Sequence, residues 1–131
     1  MKTGFLAGFL ALLVVMPAIS ADGIINVPSD FGVSETADRL EGVLNEKGMT
    51  IFKRVKHSEA AGKVGVDLRA TELIIFGNPG VGSPLMKCRQ SVAIDLPQKA
   101  LIWEDAASRV WISYNDPRYL ESRHAIDGCE A

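Results

Sequence analysis

What this chain can fold into is limited first by its start, where Phe5 to Met16 form an apolar run. Lys2 stands before the run, Pro17 ends its helical potential, and small residues follow at Ala18, Ser20 and Ala21. A positive head, an apolar middle and a small-residue end make a secretory signal peptide. A retained anchor needs about 20 apolar residues to cross a bilayer, and this run is shorter. Residues 1–21 are therefore expected to be a signal peptide, cut after Ser20 or after Ala21. No cysteine stands directly after the run to accept a lipid. The expected product has no membrane attachment and lies in the periplasm or is secreted.

Residues 22–131 then leave 110 residues, enough for one domain with a modest core and too few for two. The formal charge of the whole chain is −2, and loss of Lys2, the one charged side chain before Asp22, makes it −3. No long run of Lys or Arg remains, so nucleic acid is not an expected partner. Both cysteines, Cys88 and Cys129, fall in the mature part. In an oxidising compartment one disulfide is the economical reading. Two free thiols, an intermolecular bridge and a metal pair completed by a histidine stay open beside it.

Hydropathy patterning predicts the elements. Gly23 to Val27 reads as a strand, and Pro28, Ser29, Asp30 and Gly32 turn the chain. A helix from Ser34, capped by Ser34, would place Val33, Ala37, Leu40, Val43 and Leu44 on one face and stop at Gly48. Thr50 to Val55 reads as a half-buried strand, with a short helical turn at Ser58 to Ala61. Leu73 to Phe76 reads as a central strand buried on both faces. A short helix starts at Ser83 or Pro84. Ala100 to Glu104 and Arg109 to Tyr114 form a hairpin across Asp105 to Ser108. Asp116 and Pro117 open a last helix, ended by Gly128. The order β-α-β-β-β-β-α predicts a single α+β domain over 22–131, an antiparallel sheet with helices on one face.

Six ordered segments carry a family resemblance: Phe76-Gly77-Asn78-Pro79, Asp95-Leu96-Pro97, Trp103-Glu104-Asp105, Val110-Trp111, Tyr114-Asn115-Asp116-Pro117 and Arg123-His124. Together they resemble the domain of unknown function 302 family over essentially the whole mature chain. The resemblance implies a TATA-binding-protein-like α+β fold, a tendency to form a homodimer, and a pairing of Cys88 with Cys129. It implies no activity, because the family has none established. Fold kinship to a DNA-binding protein carries no function across, and the acidic chain argues against DNA.

Chemical signatures are sparse. Gly77 to Pro84 is glycine-rich, yet lacks the Gly-Lys-Ser/Thr of a phosphate loop and the three spaced glycines of a dinucleotide fold. Ser83 lacks the Gly-x-Ser-x-Gly frame of a nucleophile elbow. His57 and His124 are the only imidazoles. A metal site would need both, with Glu59, Glu104 or Asp127 adding oxygen, so none is expected. Trp103 and Trp111 on the hairpin are expected to pack rather than to stack on a ligand. Asn78, Tyr114 and His124, at strand or helix ends, join His57 as candidates for a small ligand pocket. No catalytic residue and no cofactor is assigned. The expectation is a non-enzymatic, dimeric ligand- or metal-binding or sensing module. The alternatives are a hydrolase-like or other acid/base enzyme using His57 or His124 beside Glu104, and a structural partner in an envelope assembly.

Overall fold

The computed structural model describes residues 22–129, so the expected signal peptide lies outside the described residues. Five strands follow one another as β1 (Ile24–Ser29), β2 (Thr50–Lys56), β3 (Thr71–Gly77), β4 (Gln98–Glu104) and β5 (Val110–Asn115). Four α-helices are interleaved: α1 (Val33–Glu46), α2 (His57–Lys63), α3 (Pro79–Cys88) and α4 (Pro117–His124), with a 3-10 turn at Gln90–Ile94. The strands make one antiparallel sheet in the order β1-β5-β4-β3-β2. Class and element order are those the sequence predicts. Among the described residues no helix is long and apolar enough to cross a membrane.

The core lies between α1 and one face of the sheet. Val33, Ala37, Leu40 and Leu44 recur every three to four residues along α1 and meet Ile74, Ala100, Ile102 and Val110. Ile74 and Ile102 are completely buried, and each such side chain contributes about 1.5–3 kcal/mol through burial. Val43 was expected on this face and is 46% exposed. It sits about 100° round the helix from Leu44, beyond the stripe that the other four residues fill. Ser34 does not cap α1, which begins one residue earlier behind Gly32 with no side-chain cap. The Ser34 carbonyl and hydroxyl instead accept hydrogen bonds from Arg54. Arg54 also pairs with Asp38 and Glu72, both at 2.5 Å, tying β2 and β3 to α1. Burial opposes its charge, but those two carboxylates outweigh it and raise its pKa.

β3 lies inside the sheet, between β2 and β4, but its two faces differ. Glu72 and Ile74 are buried on the α1 side, whereas Leu73 and Ile75 are half-buried on the other. The same second face carries Leu101, Trp103 and Trp111, also half-buried. Trp103 and Trp111 stand directly opposite one another across the hairpin. Trp103 Nε1 donates to Ser113 Oγ at 2.8 Å, and Ser113 donates to Asn26 Oδ1 at 2.5 Å, so a polar relay crosses β4, β5 and β1. β2 departs from simple alternation because its register shifts between Ile51 and Lys53, leaving Phe52 half exposed.

α3 starts at Pro79, four residues before the predicted start at Ser83. Asn78 is the reason: its Oδ1 accepts from the Gly80 amide at 2.9 Å, and Pro79 takes the first helical position. The glycine-rich segment is thus the opening of a helix, with its first free amide capped by the chain itself. The Leu96–Pro97 peptide bond is cis. Cys88, at the end of α3, is bonded to Cys129, which follows α4, across a separation of 41 residues. That bond settles the four options for the thiols and fastens the two helices to one corner of the sheet.

Candidate functional site

The corner where β4 begins and β5 ends brings Lys99, Asp95, Tyr114 and His124 close to one another. Lys99 is the second residue of β4. Its ammonium donates to the carbonyls of Pro97 at 3.1 Å and Asp95 at 3.4 Å. No described carboxylate stands within ion-pair distance of it. An ammonium has three N–H donors, so carbonyls that carry no net charge leave its positive charge uncompensated.

Lys99 borders two clefts. The smaller, about 40 Å³, is walled by Asp95, Gln98, Lys99, Tyr114, Asn115, Pro117 and Leu120. A water needs about 10–15 Å³ of such space, so this cleft has room for a small ion together with a water or two. The larger, about 190 Å³, opens on the second face of the sheet, where Ile24, Leu73 and Leu101 adjoin Lys99, Ser113, Tyr114 and Asn115. Gln98, Tyr114 and Asn115 add neutral hydrogen-bond donors around the cation.

Asp95 is the one acid in the smaller cleft, and its charge is matched. Its Oδ1 accepts from Arg123 Nη1 at 3.2 Å, and its Oδ2 lies 2.5 Å from His124 Nε2. His124 Nδ1 lies 3.1 Å from Ser91 Oγ. The His124 side chain is almost wholly buried. Arg89, just after Cys88, donates to the Ala125 carbonyl at 3.1 Å. The corner therefore sets Arg123 on the Asp95 carboxylate and Lys99 on its carbonyl, with Arg89 on the Ala125 carbonyl, in a chain that is acidic as a whole.

At the far end of the sheet the polar groups are engaged with one another. Asp105 accepts from the amides of Ala107 and Arg109, from Arg109 Nε and from Trp111 Nε1, all between 2.8 and 3.0 Å. The Trp111 and Arg109 bonds hold its carboxyl well below the usual carboxylate range. Asp116, nearer the corner, is likewise lowered by the Arg118 side chain and amide.

The four residues proposed from sequence divide between these regions. Tyr114 lines both clefts, and His124 reaches the smaller one through Asp95. Asn78 is engaged as the cap of α3 and borders a separate apolar hollow of about 180 Å³ with Phe52, Met86, Leu96 and Pro97. His57 opens α2 at the opposite end of the sheet and is exposed. Glu104 ends β4 while Asp95 and His124 lie beyond its start, a strand length of roughly 20 Å at 3.4 Å per residue. His124 and Glu104 are not brought together. Among the described residues no group of three or more His, Cys, Asp or Glu is placed to hold a metal. Lys99 and Ser91 carry no signal in the sequence, and Asp95 stands out only as part of Asp95-Leu96-Pro97; a lysine two residues after a turn at Pro97 is too common to signal a site.

A single α+β domain with this sheet and this disulfide-fastened corner is the class the geometry defines. The family model of the domain of unknown function DUF302 matches residues 25–131, and the chain belongs to that family. It is similar, at 21% identity and a TM-score of 0.71 over 79% of this chain and 80% of the other, to an uncharacterised conserved DUF302 protein from Bacillus stearothermophilus, a likeness that shows the fold. It is also 41% identical over 111 residues to a protein named fluoride-specific ion channel FluC 1 from Brucella suis, and equally so to FluC 1 from Brucella abortus. The match takes in 85% of this chain but 44% and 41% of those proteins, so the chain spans less than half their length.

Proposed function

We propose that this chain is an exported binding module that holds a small inorganic anion at the Lys99 corner. The uncompensated ammonium of Lys99 carries the reading: a cation fixed by two carbonyls, at the mouth of a cleft of about 40 Å³. Tyr114, Asn115 and Gln98 would donate to the same occupant, and a charge-assisted bond contributes about 1.5–3 kcal/mol. Fluoride is the first anion to test, because relatives of this domain bear the name of fluoride-specific ion channels. Calorimetric titration of the mature protein with sodium fluoride, chloride and sulfate should show saturable binding of one of them. Lys99→Met should weaken it at least about tenfold, or 1.4 kcal/mol. Heats that do not saturate for any of the three would refute the reading.

The module is proposed to work as a dimer through the face of the sheet turned away from α1, where Leu73, Ile75, Leu101, Trp103 and Trp111 are incompletely covered. Light scattering on the mature protein tests this, with Leu101→Glu expected to give monomers. The reading as a partner in an envelope assembly is favoured by one observation: in the Brucella relatives the matching segment is less than half of a protein named as a channel. Co-purification of this chain with a membrane protein from its own envelope would support that role.

A further inference from the structure

We infer that Ser91 is an acyl-accepting nucleophile, activated by His124 and taking acyl groups from carboxylic esters. The inference stands on Ser91, His124 and Asp95 and does not need the anion site.

A serine hydroxyl attacks a carbonyl only when a base can take its proton, and the base must be held in one tautomer. Both conditions meet here, and the hydroxyl is accessible as well. Ser91 is exposed, so an incoming carbonyl can reach its oxygen. Its Oγ lies 3.1 Å from His124 Nδ1, within the reach required of a general base. On the other side of the ring, Nε2 faces Asp95 Oδ2 at 2.5 Å. A carboxylate accepts, so Nε2 carries the proton and Nδ1 presents its lone pair to the serine. Asp95 is in turn fixed by Arg123. Asp95 and Arg123 are positioning residues, while Ser91 and His124 would touch the reacting atoms.

The arrangement is also rigid where it must be. Val92, the next residue, is 2% exposed and anchors the 3-10 turn that carries Ser91. Cys88 and Cys129 fasten that segment to the end of α4, which carries His124. A simple tie between the two segments already exists in that disulfide and in the bond from Arg89 to the Ala125 carbonyl. It has no need of an exposed hydroxyl set against a buried imidazole.

In the first step the Ser91 oxygen forms a bond to the acyl carbon as its proton passes to His124. The bond from that carbon to the ester oxygen breaks, and the alcohol leaves with the proton from His124. In the second step water adds to the acyl-serine, His124 takes its proton and returns it to Ser91, and the carboxylic acid leaves. Water is the only co-reactant.

The test uses the mature, disulfide-bonded protein and p-nitrophenyl acetate, with the acetylated residue located by peptide mapping. The expected result is acetyl on Ser91, formed at a rate that rises as an imidazole loses its proton. The charged groups about that ring are Asp95 and Arg123, with Arg89 on the Ala125 carbonyl and Lys99 on the Asp95 carbonyl. Ser91→Ala should abolish the label, and His124→Gln should slow it at least about a hundredfold, the lower end of what a general base supplies. Asp95→Asn should slow it and displace its pH profile, which a merely structural change would not do. Acetyl found on lysines with Ser91 bare, or a Ser91 rate independent of pH, would overturn the inference. So would an undiminished rate in a folded His124→Gln protein, and if that variant does not fold, the wild-type pH profile decides.

Discussion

The two ends of this sheet are built from similar residue types and differ in what those residues leave over. At the hairpin end, Asp105 gathers two amides, an arginine and an indole, and the whole set closes on itself. At the disulfide corner, Asp95 is balanced by Arg123 and His124, yet Lys99 keeps its charge and Ser91 keeps an accessible hydroxyl. A buried or half-buried polar group that is fully matched stabilises a fold. One that is left unmatched at a cleft is available to a ligand. The hairpin end is therefore read as structure and the corner as the place where chemistry happens.

That contrast can be broken from the core outward. Ile102→Ala removes a completely buried side chain from the centre of the sheet and should cost about 2–5 kcal/mol, lowering both ends together in denaturant unfolding. An unfolding curve in which the corner melted separately would show that the two regions do not share one core. Replacing Cys88 and Cys129 by serine opens a loop of 41 residues, for which chain entropy allows at most about 4 kcal/mol. Hydrogen exchange should then quicken in α3, the 3-10 turn and α4, with the hairpin left protected. Equal quickening at Asp105 would contradict the division.

Gly23→Ala tests the joint between β1 and α4. Gly23 has φ +74, and an added Cβ would collide with the Tyr119 ring. Backbone strain of this kind costs about 1–3 kcal/mol, and thermal unfolding should report it. Asp105→Asn gives the smallest effect, and one that depends on pH. The carboxyl is lowered by folding, so its contribution is present above the unfolded carboxylate range and is lost as pH falls through the folded value. The gap in Tm between wild type and variant should be widest near pH 7 and narrow steadily once pH falls below the usual carboxylate range. A gap that is constant with pH would mean the ionised carboxylate is not what Asp105 contributes.

Much of the fold was legible because its signals are local. The hairpin, the Asp116-Pro117 helix start and the stop at Gly48 each rest on residues adjacent in sequence. Two local signals were misjudged. Asn78-Pro79 is a cap and first-turn pair, which moves the start of α3 ahead of Ser83. Ser34 is claimed by Arg54, 20 residues away, and so does not cap α1. The corner was far less legible. Tyr114 and His124 are marked by their positions at element ends, whereas Lys99 carries no signal and Asp95 stands out only within Asp95-Leu96-Pro97. Ser91 meets His124 across 33 residues, and no spacing rule foretells such a contact. His57, whose only signal is its imidazole, lies at the other end of the sheet.

The most direct measurement is a paired titration of the wild-type and Lys99→Met mature proteins with sodium fluoride, with sodium chloride as the comparison. The Lys99 corner predicts one saturable anion site in the wild type, at least about tenfold weaker in the variant, whose fold is unchanged by circular dichroism. Equal affinities in the two proteins, or no saturable site in either for any small anion, would contradict it.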